Sequence, residues 1–192
     1  NTAKALLPGR DIYVVTDSEE ISLICQRNGV NYHYDKALRL GSANILRELK
    51  GYIEKQARDY DHLLIYRAST PLVDHEDIQK GYDHFVQADA DILVTLKRQE
   101  QRLWKELNGS TERLICDEST DSLMVEIKSF LILRAGALNG DSPEPTVTPY
   151  FLDEKAVDIT GYQNWWICEK LLQQRHIVFV VTGYPAIGLG HI

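Results

Sequence analysis

No apolar run in this 192-residue sequence comes near the roughly 20 residues that span a bilayer. The opening NTAKALLPGR also lacks the apolar body of a signal peptide. Cysteine is scarce: Cys25, Cys116 and Cys168 are far apart and form no CxxC pair, so neither a disulfide framework nor a zinc knuckle is indicated. Positive charge is in deficit, with 21 Lys and Arg against 28 Asp and Glu and a net charge of -7. Clustered cations of the kind that hold nucleic acid or an anionic membrane are therefore not expected. GxSxG, GxxxxGKS/T and HExxH do not occur, which removes the sequence grounds for hydrolase, P-loop and zincin readings. These absences predict a cytoplasmic protein acting on a small molecule, with no nucleic-acid and no membrane partner.

What is present is globular. The sequence is 44% hydrophobic and 26% charged, enough to bury a core in a chain of ordinary single-domain length. Apolar strands alternate with amphipathic helices: a strand over 11–16, a helix over 18–27 capped by Asp17 or Ser18, and a strand over 30–34. A helix over 43–58 with Ile45, Leu46, Leu49 and Ile53 on one face, a strand over 62–66, a helix over 75–87 capped by Asp74, and a strand over 91–96 follow. This rhythm predicts an α/β fold with a mostly parallel sheet covered on both faces, the strands at 11–16, 62–66 and 91–96 lying side by side. Residues 98–150 break it and read as an antiparallel insert, with strand-like pieces at 113–116 and 123–133 and a proline-rich loop DSPEPTVTP. A last helix over 162–174 carries Trp165 and Trp166, which read as core or interface residues.

Ligands of open parallel sheets bind beyond the carboxyl ends of the strands, which singles out three loops. Thr16-Asp17 is a helix cap or a site residue. Arg67-Ala68-Ser69-Thr70-Pro71-Leu72 gathers a cation and two hydroxyls before a stiffening proline, and Arg67 there is suited to a carboxylate or phosphate, or is a plain surface arginine. Asp158, between apolar neighbours in AVDIT, is a helix cap or a ligand for a hard cation. His33, His62, His75, His84 and His176 show no metal-ligand spacing. Asp89-Ala90-Asp91 has the letters of a DxD motif but falls before a strand rather than after one.

DIYVVTDSEEI, then LLIYRASTPLVDHEDIQKGYDHF with ADADILVTL, then KAVDITGYQNWWICEKLL stand in the order and spacing of the acylneuraminate cytidylyltransferase family, the enzymes that make CMP-sialic acids and related CMP-activated acidic sugars, and residues 12–172 resemble that family. The resemblance implies a three-layer, Rossmann-like nucleotidyltransferase fold for residues 1–175. It implies CTP and an acidic sugar as substrates, Mg2+ as cofactor and a homodimer formed through residues 98–150. It places Asp158 at the metal and Arg67 at the acidic sugar or a phosphate, both in the catalytic step. Ser69 and Thr70 become secondary substrate contacts, and Lys36 and Ser42 lie on the nucleotide side.

The departures are specific. Thr160 stands where the family has a second metal-binding aspartate, Arg67 where it has glutamine, and Asp35-Lys36-Ala37 where it has Arg-Pro. The family's opening glycine- and lysine-rich triphosphate loop has no counterpart, and NTAKALLPGR is similar to the end of the helix that follows that loop. At the other end, VFVVTGYPAIGLGHI resembles the first strand and loop of nucleotide-sugar hydrolases and glycosyltransferase-like proteins, with His191 at the loop histidine. Residues 176–192 are thus expected to open a following module, the chain to be part of a longer polypeptide, and this chain on its own to bind nucleotide weakly and not to transfer CMP. A non-catalytic nucleotide-sugar-binding or assembly module is the alternative.

Overall fold

The computed structural model describes residues 2–38, 45–56, 60–98, 104–113, 124–138 and 144–175. Ser42, Cys116 and the segment 176–192 with its expected strand lie outside the described residues. Helix α1 (Thr2–Leu6) and a short 3-10 turn lead into strand β1 (Tyr13–Thr16), helix α2 (Glu19–Arg27) and strand β2 (Asn31–Tyr34). The Ser18 hydroxyl caps α2 by accepting from the Ile21 amide at 3.4 Å, and Glu19 and Glu20 face the positive end of its dipole. Gly29, at φ +60, ends it in the left-handed region that glycine enters without strain.

Helix α3 (Ile45–Gln56) connects to strand β3 (His62–Tyr66), and helix α4 (His75–Gln87) to strand β4 (Ile92–Arg98). At the start of α4 the Asp74 carboxylate accepts from the Glu76 and Asp77 amides, while Asp77 accepts from the Asp74 amide at 3.0 Å, a reciprocal capping box. Strands β5 (Trp104–Leu107) and β6 (Ser110–Arg113) form a hairpin closed by Asn108-Gly109, both at positive φ as a two-residue turn requires. Strand β7 (Met124–Arg134), strand β8 (Val147–Phe151), a 3-10 turn at Asp153–Lys155 and helix α5 (Tyr162–Arg175) complete the order.

The main sheet runs β3-β7-β4-β8, and β1 and β2 form a separate parallel pair. Strands β3, β4 and β8 share one direction and β7 alone opposes them, so the sheet is mostly parallel with an antiparallel insertion. The expected neighbours are rearranged: β1 pairs only with β2 among the described residues, and β7 separates β3 from β4. The reason is packing. Phe130, Ile132 and Leu133 of β7 are 0 to 2% exposed, so this apolar stretch is the middle of the core rather than an annex. It meets Val73, Ile78 and Phe85 around α4, and Leu93 of β4. Phe130 and Ile132 are thereby consumed inside the monomer and unavailable to the dimer face expected for them. The end of DSPEPTVTP likewise enters β8, where Pro149 is tolerated because, among the described residues, β8 is an edge strand.

Helix α4 approaches β7 closely at Gly81, where an added Cβ would lie 2.8 Å from two carbons of the Phe130 ring. Alanine is worth up to about 1 kcal/mol over glycine in an exposed helix. Here overpacking, at roughly 1–3 kcal/mol, outweighs that gain. Gly81→Ala should therefore lower stability by about 1 kcal/mol or more in urea unfolding, and a stabilised variant would show that α4 is not held against Phe130.

Candidate functional site

Tyr60 Oη donates to Asp11 Oδ1 at 2.9 Å, joining the segments that precede β1 and β3, and the loops at the carboxyl ends of the strands form the face on which ligands of such sheets bind. On that face the Asp35 amide donates to the Thr16 carbonyl at 3.1 Å, and the Asp35 carboxylate accepts from the Ala37 amide at 2.8 Å. This turn after β2 holds Lys36 exposed, next to the end of β1. Thr16 itself is buried, its hydroxyl accepting from the Ser18 amide at 3.0 Å, so Thr16-Asp17-Ser18 organises the start of α2.

The loop after β3 is fixed from beneath. The Arg67 amide donates to the Ser129 carbonyl at 2.8 Å, and the Thr70 hydroxyl pairs with the Ser129 hydroxyl at 2.9 Å and donates to the Arg67 carbonyl at 3.2 Å. Thr70 and Ser129 are both 0% exposed. Thr70 thus shapes the loop from inside, and its hydroxyl is not presented to a ligand as the sequence reading supposed. Arg67 and Ser69 are half-buried above it.

Residues 156–160 join this loop through the Ile159 amide, which donates to the Ser69 carbonyl at 2.8 Å. Asp158 is half-buried, and its Oδ1 is buried with no hydrogen-bond partner. Its backbone carbonyl accepts from Asn164 Nδ2 at 2.8 Å and from the Thr160 amide at 2.9 Å. The helix-cap reading of the side chain does not hold: α5 begins with the Trp165 amide bonded to the Gly161 carbonyl, and no described amide of its first turn reaches the Asp158 carboxylate. A buried carboxylate oxygen without a donor is costly, and a cation or a ligand donor relieves that cost. Mg2+ is commonly held by one or two carboxylates plus substrate phosphates, so Asp158 fits one corner of such a site. Thr160 does not supply a second, because its hydroxyl accepts from Asn164 at 3.3 Å. Among the described residues no group of three His, Cys, Asp or Glu side chains could hold a metal by itself.

The sequence reading missed what positions Asp158. Lys155 Nζ donates to Asp74 Oδ2 at 2.9 Å and Asp77 Oδ2 at 2.6 Å, clamping the turn before Asp158 to the capped end of α4. On the other side Arg98 pairs with Asp153 through both its amide and its guanidinium, which also lies 4.5 Å over the Phe151 ring. Burial works to raise the Asp74 carboxyl, but hydrogen bonds from Lys155 and the Asp77 amide outweigh it and lower the group to about 2. Burial likewise works to lower the Lys155 ammonium, and its bonds to Asp74 and Asp77 raise it above the ordinary lysine value. Only the DxxD spacing of the cap was visible in advance. A lysine some 80 positions away has no local signal.

No protein-family model matches the sequence, and no curated protein matches it. Solved structures do. CMP:2-keto-3-deoxy-manno-octonic acid synthetase complexed with CTP matches at TM-score 0.61 and 9% identity, over 85% of this chain and 81% of that one. A 4-diphosphocytidyl-2C-methyl-D-erythritol synthase matches at TM-score 0.61 and 14% identity, over 83% and 81%. The enzyme of that name from Anaerococcus prevotii matches at 0.57 and 10%, over 82% and 77%. The chain shares the α/β fold of these synthetases.

Asp74 is lowered in the folded state, so its contribution is present above the unfolded carboxylate value and is lost as pH falls through about 4 toward 2. Lys155 is raised, so its contribution is present below the ordinary lysine value and is lost only in strong alkali. Lys155→Met should cost about 1–2 kcal/mol at pH 7, discounted for the partial exposure of all three groups. It should also flatten the fall in stability between pH 4 and 2. Denaturant midpoints across that range check it, and an unchanged acid slope would remove the clamp from the account.

Proposed function

We propose that the chain is the sheet core of a cytidylyltransferase that activates an acidic sugar of the nonulosonic or sialic type as its CMP derivative, with CTP as donor, in cytoplasmic surface-glycan synthesis. The observation that carries this reading is the buried, unpartnered Oδ1 of Asp158 beside the Ser69 loop, on a fold of the nucleotidyltransferase type. In this reaction the sugar hydroxyl oxygen bonds to the α-phosphorus of CTP, the bond to the β-phosphate oxygen breaks, pyrophosphate leaves and the hydroxyl proton passes to water. Little covalent chemistry is asked of the protein, so positioning and charge neutralisation supply the rate.

Asp158 would hold Mg2+, which when bound neutralises phosphate charge. Arg67 would grip the sugar carboxylate or a phosphate by two parallel hydrogen bonds. Ser69 would add a contact from the same loop, Thr70 would keep that loop in place, and Lys36 would meet the nucleotide. Ser42 keeps its nucleotide-side role on the resemblance alone. The homodimer is proposed through residues 98–150, where Trp104 and Leu107 of the hairpin and Met124 and Val125 of β7 are exposed. The Thr160 hydroxyl, bonded to Asn164 where the resembled family has a second metal-binding aspartate, favours, as second reading, a module that binds nucleotide sugar without catalysis.

Calorimetric titration of CTP with and without Mg2+ tests the site. Asp158→Asn should lower the Mg2+-dependent affinity at least tenfold. Arg67→Ala should weaken the acidic sugar by about 10- to 100-fold, the worth of one charge-assisted contact, while leaving CTP little changed. CTP binding indifferent to both Mg2+ and Asp158→Asn would overturn the assignment. Intact binding with no pyrophosphate release from any acidic sugar would leave the second reading.

A further inference from the structure

A cavity of about 330 Å³ opens at the amino end of β3, between that strand, the end of α1 and helix α4. Its volume lies in the range of small-molecule pockets. His62 and the Ser69 loop stand at opposite ends of β3, so the cavity is separate from the carboxyl-end site. The alternation of the strand builds it. Leu63 and Ile65 pack toward α3, while Leu64 packs into the main core that holds Ile78 of α4 and Ile132 of β7. Leu6, Leu64, Ile78 and Ile132 form apolar walls, and the cavity meets solvent beside exposed Leu7 and Tyr82. The polar groups of the lining are few and ordered. His62 Nδ1 pairs with Tyr82 Oη at 3.0 Å, and the imidazole stands edge-on to the rings of Tyr82 and Phe85, at 66° and 87°. Those contacts fix the ring, and its Nε2 has no hydrogen bond among the described residues. Gln79 is already engaged, its Nε2 donating to Asp83 Oδ1 at 2.9 Å. Among the described residues no Asp, Glu, Lys or Arg lines the cavity.

We propose that this cavity is an accessory binding site for a neutral apolar alcohol or phenol, with its hydrocarbon body among Leu6, Leu64, Ile78 and Ile132 and its hydroxyl on the His62–Tyr82 pair. The lining selects each part of that description. Aliphatic walls favour an apolar body, because covering them removes hydrocarbon surface from water. An ion would lose its hydration without meeting an opposite charge, which excludes phosphates and sugar acids from this end of the strand. The hydroxyl follows from the imidazole. In the neutral ring Nε2 donates when Nδ1 accepts from the tyrosine, and accepts when Nδ1 donates to it. A hydroxyl answers either tautomer, whereas a carbonyl or ether oxygen answers only the first. The ring contacts to Tyr82 and Phe85 hold the imidazole before any ligand arrives, so little ordering is left for binding to impose.

Titrating the full 192-residue chain with 4-ethylphenol, ethylbenzene and 4-ethylbenzoate, followed by amide shifts in NMR spectra, tests this. 4-Ethylphenol should bind with a Kd below about 1 mM, ethylbenzene several-fold more weakly, and 4-ethylbenzoate not measurably in that range. His62→Phe keeps a ring at the position and removes its nitrogens. It should weaken 4-ethylphenol by up to about tenfold, the worth of one neutral hydrogen bond, and leave ethylbenzene unchanged. A merely structural role for His62 would lower both ligands alike and would remove the hydroxyl contact from the proposal. Leu7→Trp, at an exposed position beside the opening, should block both ligands while the melting temperature stays near that of the parent. Absence of 4-ethylphenol binding to the parent chain overturns the site. So does binding that neither variant alters, which would place the ligand elsewhere. Equal affinity for 4-ethylbenzoate overturns its assignment to neutral molecules.

Discussion

Everything on the carboxyl-end face depends on β7 lying between two strands that run against it. Its Ser129 carbonyl and hydroxyl set the loop after β3, its Phe130 ring fills the space that Gly81 leaves open, and its backbone is bent where its pairing with β4 shifts register. The bend is satisfied from within the core. The Thr95 hydroxyl, on a residue 1% exposed, reaches the Ile127 carbonyl at 2.6 Å and the Phe130 carbonyl at 3.1 Å, the groups freed by the bulge. A buried backbone carbonyl left without a donor costs about as much as a lost hydrogen bond.

The partnered and unpartnered carboxylates of the chain divide by whether that accounting closes. Asp74 and Asp77 share Lys155 and each other's amides, Asp153 has Arg98, and Asp91 accepts from the Thr146 amide and hydroxyl, which hold it below the ordinary carboxylate value. Asp158 alone among these keeps a buried oxygen without a donor. The contrast marks it out because a chain that satisfies its neighbours so fully has left one acceptor open at the end of the sheet where ligands of such folds bind.

Local chemistry made much of this visible in advance. Ser18 before α2, Asp74 before α4 and the apolar five residues of β3 gave those elements to within a residue or two, and Arg67, Ser69 and Asp158 fall on loops that meet. The place of β7 was hidden because register and neighbour order are set by long-range burial, which an alternating apolar run over 123–133 does not encode. The β5–β6 hairpin carried a signal in Asn108-Gly109 that went unread. The inward hydroxyl of Thr70 could not be foreseen, since its partner Ser129 is 59 residues away and the motif RASTPL presents Ser69 and Thr70 alike.

Pro149 bears on the behaviour of the chain in a crowded solution. It sits inside β8, the outer strand of the main sheet, and offers no amide to an approaching chain. That margin is protected against accretion of foreign strands in the way that edge prolines protect other sheets. Among the described residues the opposite margin is β3, whose sequence HLLIY contains no proline. Among the described residues the two margins are thus unequal, and a foreign strand meets an obstacle at β8 that β3 does not present.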